Sequence, residues 1–160
     1  MPDVLQRAHP AAVVFCFLFS GDRVLLVRRL LPPHEGTITV PGGRKERGET
    51  PCETCIREML EETGMAVSSP RFRGMLYISA GEKETAAFYY SSRDFSGDLR
   101  GSEEGMPFWC RKEESISLDG ANPFFTLLAP RIFCEFSPIF EGKVLAREGG
   151  AILASSFRSI

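Results

Sequence analysis

Apolar and polar positions change their period several times along this chain, and each change marks an element. Residues 11–19, AAVVFCFLF, form an unbroken apolar run, followed by Ser20-Gly21-Asp22 and a second run, RVLLVRR, at 23–29. Two β-branched and aromatic runs around a tight turn predict a hairpin. The first run follows Arg7 and His9 in the manner of a targeting signal. It is too short to cross a bilayer, and the turn and strand directly behind it favour a buried strand. After LLPPHEG, the segment TITV at 37–40 predicts a short third strand that stops at Pro41-Gly42-Gly43, where a glycine-rich loop begins.

From Thr50 the period becomes helical. Thr50 is an N-cap, Pro51 occupies the first helical position, and Glu53 three places beyond Thr50 completes a capping box. Gly64 is a stop. At about 100° per residue, Cys52, Ile56, Met59, Leu60 and Thr63 share one face, while Glu58, Glu61 and Glu62 gather opposite. One face is expected to pack, with Met59 and Leu60 as its anchor, and the other to offer carboxylates. Further on, RFRGMLYISA, TAAFYYSS and GMPFWCRK predict strands of another antiparallel unit, and NPFFTLLAPRIF predicts a second helix that Pro130 must kink or end. The tail from about Glu141 has no clear period, since EGGA interrupts it.

With 160 residues, 43% hydrophobic and 25% charged, and no repeat or linker, the chain reads as one ordinary globular domain, 1–160. A net charge of −2 gives no reason to expect a long nucleic acid as partner, and no run suits a membrane. Any phosphate chemistry must be local. Cys16, Cys52, Cys55, Cys110 and Cys134 are odd in number and scattered, which argues against a disulfide framework and for a reducing, cytoplasmic setting. Cys52 and Cys55 form a lone CxxC, open to a redox or zinc role or to plain packing in a helix's first turn.

The crowded glutamates change the picture most. Like charges three and four apart on a helix each cost a few tenths of a kcal/mol, so something must offset them. A solvated surface with Glu53 and Arg57 as a favourable pair is one answer, and a divalent cation bound by hard oxygen ligands is another. The surrounding spacing bears on this choice. Gly43 is followed after five residues by Glu49, and after seven more by Arg57-Glu58-Met59-Leu60-Glu61-Glu62-Thr63-Gly64-Met65. Seven positions fixed in identity would match by chance on the order of once in a million chains of this length. This segment, 43–65, resembles the signature box of the Nudix hydrolases, and more of the chain resembles the MutT-like members.

The resemblance implies an α/β fold of the Nudix type, an α/β/α sandwich with a mixed central sheet between helices. It also implies Mg²⁺-dependent attack of water on a pyrophosphate bond, with Mn²⁺ as a substitute metal. Carried over residue by residue, it makes Glu58, Glu61, Glu62 and the carbonyl of Gly42 the metal ligands, one carboxylate the acceptor of the water's proton, and Arg57 a brace paired with Glu49. SEEGMPFW resembles the segment that adds one more metal-binding glutamate, here Glu104, although a loop carboxylate facing water fits the same letters. Arg29 matches a phosphate-contacting arginine, or is a charged strand end. Asn122 stands where a purine-reading asparagine is held, yet Asn followed by Pro123 is also a helix N-cap. Where many relatives carry Trp, this chain has Ile38, so an aromatic wall for a base would come from Phe17, Phe88, Trp109 or Phe124.

The function implied is hydrolysis of a nucleoside triphosphate, such as the oxidised purine 8-oxo-dGTP, to monophosphate and pyrophosphate, with a small nucleotide as partner. Cleavage of ADP-ribose or another nucleoside diphosphate derivative is an alternative, against which YISAGEKE lacks the proline those enzymes often carry past the box. A non-catalytic nucleotide-sensing module is a second alternative, against which every glutamate of the box is present. The letters leave the oligomeric state open.

Overall fold

In the computed structural model, which describes residues 9–160, the first apolar run forms strand β1 (Ala11–Ser20). Its unbroken hydrophobicity has a physical reason, since both faces are covered. Phe17 and Phe19 enter one hydrophobic cluster, with Val13 and Phe15 packed against it, while Val14, Cys16 and Leu18 enter another. Gly21, at φ 58°, makes the turn into β2 (Arg23–Arg29), and β3 (Ile38–Thr39) pairs antiparallel with β2.

The Pro-Gly-Gly segment, expected as a loop, instead supplies a short strand, β4 (Gly42–Arg44), antiparallel to Val13–Phe15 of β1. Glycine is required there by close approach, because a Cβ on Gly42 would lie 2.2 Å from the Val14 carbonyl oxygen. The capped segment forms helix α1 (Pro51–Thr63). A small ribbon of β5 (Ala66–Ser68) and β8 (Asp94–Ser96) stands apart from the main sheet, while β6 (Arg71–Ala80) and β7 (Lys83–Ser92) pair antiparallel as expected.

The strand β9 (Gly105–Arg111) does not join that unit but pairs antiparallel with β2. The edges of β6 and β7 are already taken, by β1 running parallel to β7 and by β10 (Phe140–Ala146) running parallel to β6. The tail's missing period reflects a hairpin: β10 returns as β11 (Ile152–Ser159), with Gly149 and Gly150 in the turn. The order across the nine-stranded sheet is β11-β10-β6-β7-β1-β2-β3, with β4 on β1 and β9 on β2.

A one-turn helix α2 (Lys112–Ser115) leads to α3 (Pro123–Phe133). α1 packs on the sheet face carrying Val14, Cys16 and Leu18, and α3 on the face carrying Phe17 and Phe19, so the chain is the expected α/β/α sandwich. Pro130 neither ends α3 nor falls at its end, since the helix continues to Phe133. Pro130 is exposed while Leu128, Ala129 and Ile132 are buried beside it. The buried Arg73 holds the helix end, donating to the carbonyls of Ile132 at 3.0 Å and Cys134 at 2.8 Å. Both act against the roughly 3 kcal/mol that an interior proline costs. All five cysteines are free, and among the described residues no helix is long and apolar enough to cross a membrane.

Candidate active site

Local signals fix where α1 begins and ends. The Thr50 hydroxyl accepts from the Glu53 N–H at 3.2 Å, and the Glu53 carboxylate accepts from the Thr50 N–H at 2.7 Å. Gly64 closes the helix in the left-handed region at φ 77°.

The rotation of the helix differs from its apolar periodicity. Ile56 and Leu60, placed on the packing face by their hydrophobicity, are 39% and 45% exposed, whereas Thr54, Cys55, Met59 and Thr63 are buried. On that inward arc Glu58 and Glu62 sit beside Cys55 and Met59, and Glu61 alone of the three is exposed. The reason lies in β4, which crosses this side of the helix. The Gly42 N–H donates to Glu62 Oε2 at 3.1 Å, and a Cβ on Gly43 would fall 2.3 Å from the Glu58 carboxyl carbon. The carboxylates are therefore wedged between helix and strand rather than displayed on an outer face.

Arg57 ties this wedge to the preceding loop. Its Nε donates to Glu49 Oε1 at 2.5 Å and its Nη2 to Glu49 Oε2 at 3.0 Å and to the Arg44 carbonyl at 3.0 Å. Its Nη1 reaches Glu58 Oε1 at 2.9 Å and Glu61 Oε2 at 3.2 Å. Glu49 also accepts from the Glu46 N–H and the Thr54 hydroxyl. The Arg57 guanidinium, followed by these donors, holds the Glu49 carboxyl down to about 2.

The other glutamates are pushed the opposite way. Burial first, then the charges of Glu58 and Glu104, raise Glu62 to about 7 against the opposing pull of the Gly42 N–H and Arg29. Glu58 is also raised by burial despite Arg57, with Glu61 and Glu104 adding to the effect. Glu104, on the loop before β9, thus joins Glu58 and Glu62 in one field of negative charge. Its backbone carbonyl accepts from the Leu30 N–H at 2.9 Å, which stitches this loop to the one after β2.

A cavity of about 380 Å³ opens from Gly42 and Glu62 toward α3, lined also by Arg29, His34, Asn122 and several aromatic rings. Arg29 Nε donates to the carbonyls of Leu31 at 3.0 Å and Pro33 at 2.8 Å, holding the loop at the cavity mouth. Asn122 caps α3, its Oδ1 accepting from the Phe124 N–H at 2.8 Å, and sits in the cavity wall at the same time. Phe17 and Phe124 line the cavity; Phe88 and Trp109 do not, since they pack on the other face of the sheet with Cys55 and Met59. Ile38 is fully buried and replaces no wall.

Phe15 and Tyr89, stacked at 5.5 Å, and His34, left-handed at φ 69°, line the cavity without having been singled out in the sequence. Phe15 shares a strand face with Phe17 and faces Tyr89 in the β1–β7 register, so alternation carried a signal for both. Nothing in the letters marked His34.

The donor set suits a hard divalent cation. Glu58, Glu61 and Glu62 each have one oxygen without a hydrogen-bond partner among the described residues, and Glu58, Glu62 and Glu104 repel one another. Among the described residues no three His, Cys, Asp or Glu side chains are placed to hold an ion by themselves. A cation here would complete its shell with a backbone carbonyl, water and substrate phosphate, the mixture Mg²⁺ favours.

The NUDIX domain family model matches residues 8–125. The chain belongs to the Nudix family. The Nudix hydrolase YvcI of Bacillus subtilis is 33% identical over 103 residues, covering 61% of this chain and 63% of that protein. An ADP-ribose pyrophosphatase of Methanocaldococcus jannaschii is 32% identical over 95 residues, covering 59% and 54%. The chain therefore spans less than two thirds of the length of these curated Nudix relatives. Among solved structures, the MutT protein of Bacillus halodurans superposes with a TM-score of 0.84 at 24% identity, over 92% of this chain and 97% of that one. The MutT Nudix hydrolase of Burkholderia pseudomallei gives 0.70 at 20% identity, over 78% and 99%. These likenesses carry the Nudix fold.

Proposed function

We propose that this Nudix chain is a Mg²⁺-dependent pyrophosphohydrolase that cleaves a nucleoside triphosphate to the monophosphate and pyrophosphate, with Mn²⁺ as a substitute. The observation that carries the reading is that Gly42 and Glu62 belong both to the carboxylate wedge and to the wall of the 380 Å³ cavity, so reactive phosphates and a bound base would occupy adjoining spaces. Glu58, Glu61, Glu62, Glu104 and the Gly42 carbonyl would hold the ion, which supplies charge neutralisation and lowers the pKa of bound water.

The chain's own residues do the rest. Arg57, anchored on Glu49, fixes the carboxylates relative to β4. Arg29 offers its Nη groups, which have no hydrogen-bond partner among the described residues, to phosphate oxygens while its Nε holds the loop. One carboxylate takes the proton of the attacking water. Phe124 and the stacked Phe15–Tyr89 pair offer aromatic surface to a base. With Oδ1 engaged as a cap, Asn122 presents only its amide donors, which read acceptors on a purine edge. A purine triphosphate such as 8-oxo-dGTP matches that set, and five free cysteines suit a reducing compartment such as the cytoplasm.

A second reading, cleavage of ADP-ribose, is favoured by the names of curated relatives in Methanocaldococcus jannaschii and Bacillus subtilis. The complete set of box glutamates favours turnover over a sensing module. Incubation with a nucleotide panel and Mg²⁺, read by chromatography, separates these. Monophosphate plus pyrophosphate from a triphosphate supports the first reading, AMP plus ribose phosphate from ADP-ribose replaces it with the second, and binding without products leaves the sensing module.

A further inference from the structure

A second polar cleft, of about 220 Å³, opens where the C-terminal ends of β1 and β7 meet the N-terminal end of β6, and it shares no lining residue with the active-site cavity. Arg71, Arg73, Arg93, Ser69, Ser91 and Ser92 line it, together with Phe19 and the carboxylates of Asp94 and Glu135. A fourth cation stands beside it. The Lys112 ammonium lies 4.3 Å from the centroid of the Phe19 ring, over which the Arg93 guanidinium also sits at 5.3 Å, and it has no oxygen partner among the described residues.

The existing anions do not balance this group. Glu135 is engaged by Arg93 Nε, and its backbone carbonyl has only a long 3.4 Å contact from Arg71. Arg73 spends both terminal nitrogens on Ser91 Oγ and the carbonyls at the end of α3, so what it supplies at the cleft floor is mainly charge. After burial, the largest influence on Arg73 is the neighbouring charge of Arg71, and on Lys112 that of Arg93; both pull the pKa down and outrank Glu135, which pushes it up. The four cations therefore stand close enough to repel one another, with Glu135, and Asp22 at Lys112, opposing that repulsion. Among the described residues three lining groups keep donors without a partner: Arg71, the Nη2 of Arg93, and the Ser91 hydroxyl, whose oxygen accepts from Arg73, while Lys112 adds its charge from beside the cleft.

We propose that this cleft is a separate binding site for a small, multiply charged phosphate-class anion, held by Arg71, Arg93 and Ser91 over the Arg73 floor, with the Lys112 charge beside it. The free inorganic ion and the phosphate of a phosphomonoester share this chemistry, and 220 Å³ admits either. The site does not depend on the hydrolase reading, since no residue is common to both cavities.

The test is a backbone amide NMR titration of the full chain with inorganic phosphate and, separately, with AMP, in the absence of divalent cation. Saturable shifts are expected at Ser69, Ser91–Asp94 and Glu135, with a dissociation constant on the order of millimolar or tighter. They should survive Arg29→Ala and weaken by about tenfold or more in Arg71→Ala, an exposed position where the fold is not at stake. A stronger response to inorganic phosphate identifies the free ion as the occupant, a stronger response to AMP identifies a phosphomonoester, and equal responses support a site that reads the phosphate group alone. Shifts confined to the Gly42–Arg44 strand and Arg29, no saturation with either probe, or undiminished binding in an Arg71→Ala, Lys112→Ala double variant would overturn the proposal.

Discussion

The carboxylate of Glu49 is gripped by the guanidinium of Arg57 through two parallel hydrogen bonds, Nε to Oε1 at 2.5 Å and Nη2 to Oε2 at 3.0 Å. A fork of this kind fixes direction as well as distance, so it sets how α1 presents Glu58 and Glu62 to β4. Arg57→Lys keeps the charge and loses the fork. Steady-state kinetics should show kcat/KM falling about 10- to 100-fold, a larger effect than the modest drop in melting temperature that follows from loosening the pair.

The same pair sets an acid limit. Because Glu49 titrates near 2 in the folded chain and near 4.5 when unfolded, its stabilising effect is present above pH 4.5 and is lost as pH falls from 4.5 toward 2. Glu49→Gln should therefore lower stability at neutral pH, and its stability, followed by circular dichroism, should change less between pH 4.5 and 2 than that of the unsubstituted chain.

Glu62 behaves with the opposite sign. Its folded value of about 7 lies above the ordinary 4.5, so the folded chain binds this proton more tightly than the unfolded chain. Without divalent cation, stability should fall as pH rises from 4.5 to 7, and Glu62→Gln should flatten that slope. The same variant should lose Mg²⁺-dependent pyrophosphate release by at least about 100-fold. Wild-type turnover in Glu62→Gln would remove it from the ligand set.

Neighbouring glycines should fail differently. Gly42→Ala drives a methyl into the Val14 carbonyl, which is backbone, so loss of roughly 1–3 kcal/mol of stability is expected by chemical denaturation. For Gly43→Ala the nearest atoms the methyl meets are those of the Glu58 carboxyl group, the end of a side chain. It should fold with near-normal stability and lose activity.

Asn122 holds two roles that substitution separates. Asn122→Ala removes the cap of α3 and should cost about 1 kcal/mol along with purine preference. Asn122→Asp restores a capping oxygen but brings no amide donors. Recovery of stability without recovery of selectivity, measured against a purine and a pyrimidine triphosphate, is the expected result; recovery of both would assign Asn122 to the cap alone.

What the letters disclosed was local. Thr50, Pro51, Glu53 and Gly64 mark the ends of α1 because caps act within a few residues, and the gap from Glu49 to Arg57 carries their pairing for the same reason. The rotation of α1 escaped because it answers to β4, and β4 exists only once Gly42–Arg44 lies against β1. Ile56 and Leu60 were misplaced by hydrophobicity with no partner to pack on. Likewise β9 pairs with β2 because other edges were filled first, a fact of the whole sheet. Pro130 kept its helix because Arg73, nearly sixty residues away, holds the last carbonyls. The site residues named from the box came together, while Phe88 and Trp109 fell on the opposite face because strand parity, not residue type, decides which side a ring takes.

Ile38 has one further consequence. Its N–H donates to the Gly120 carbonyl at 2.8 Å and its carbonyl accepts from the Asn122 N–H at 2.8 Å, so the strand leading to Gly42 and the cap of α3 share one backbone seam. The two halves of the cavity are thereby joined before any substrate arrives, and neither has to be ordered by filling the other. Fragments of a substrate, a nucleoside and a pyrophosphate, should then bind with free energies that add without mutual cooperativity. Selectivity among nucleotides would be set by fit to a preformed shape rather than by closure around the correct one.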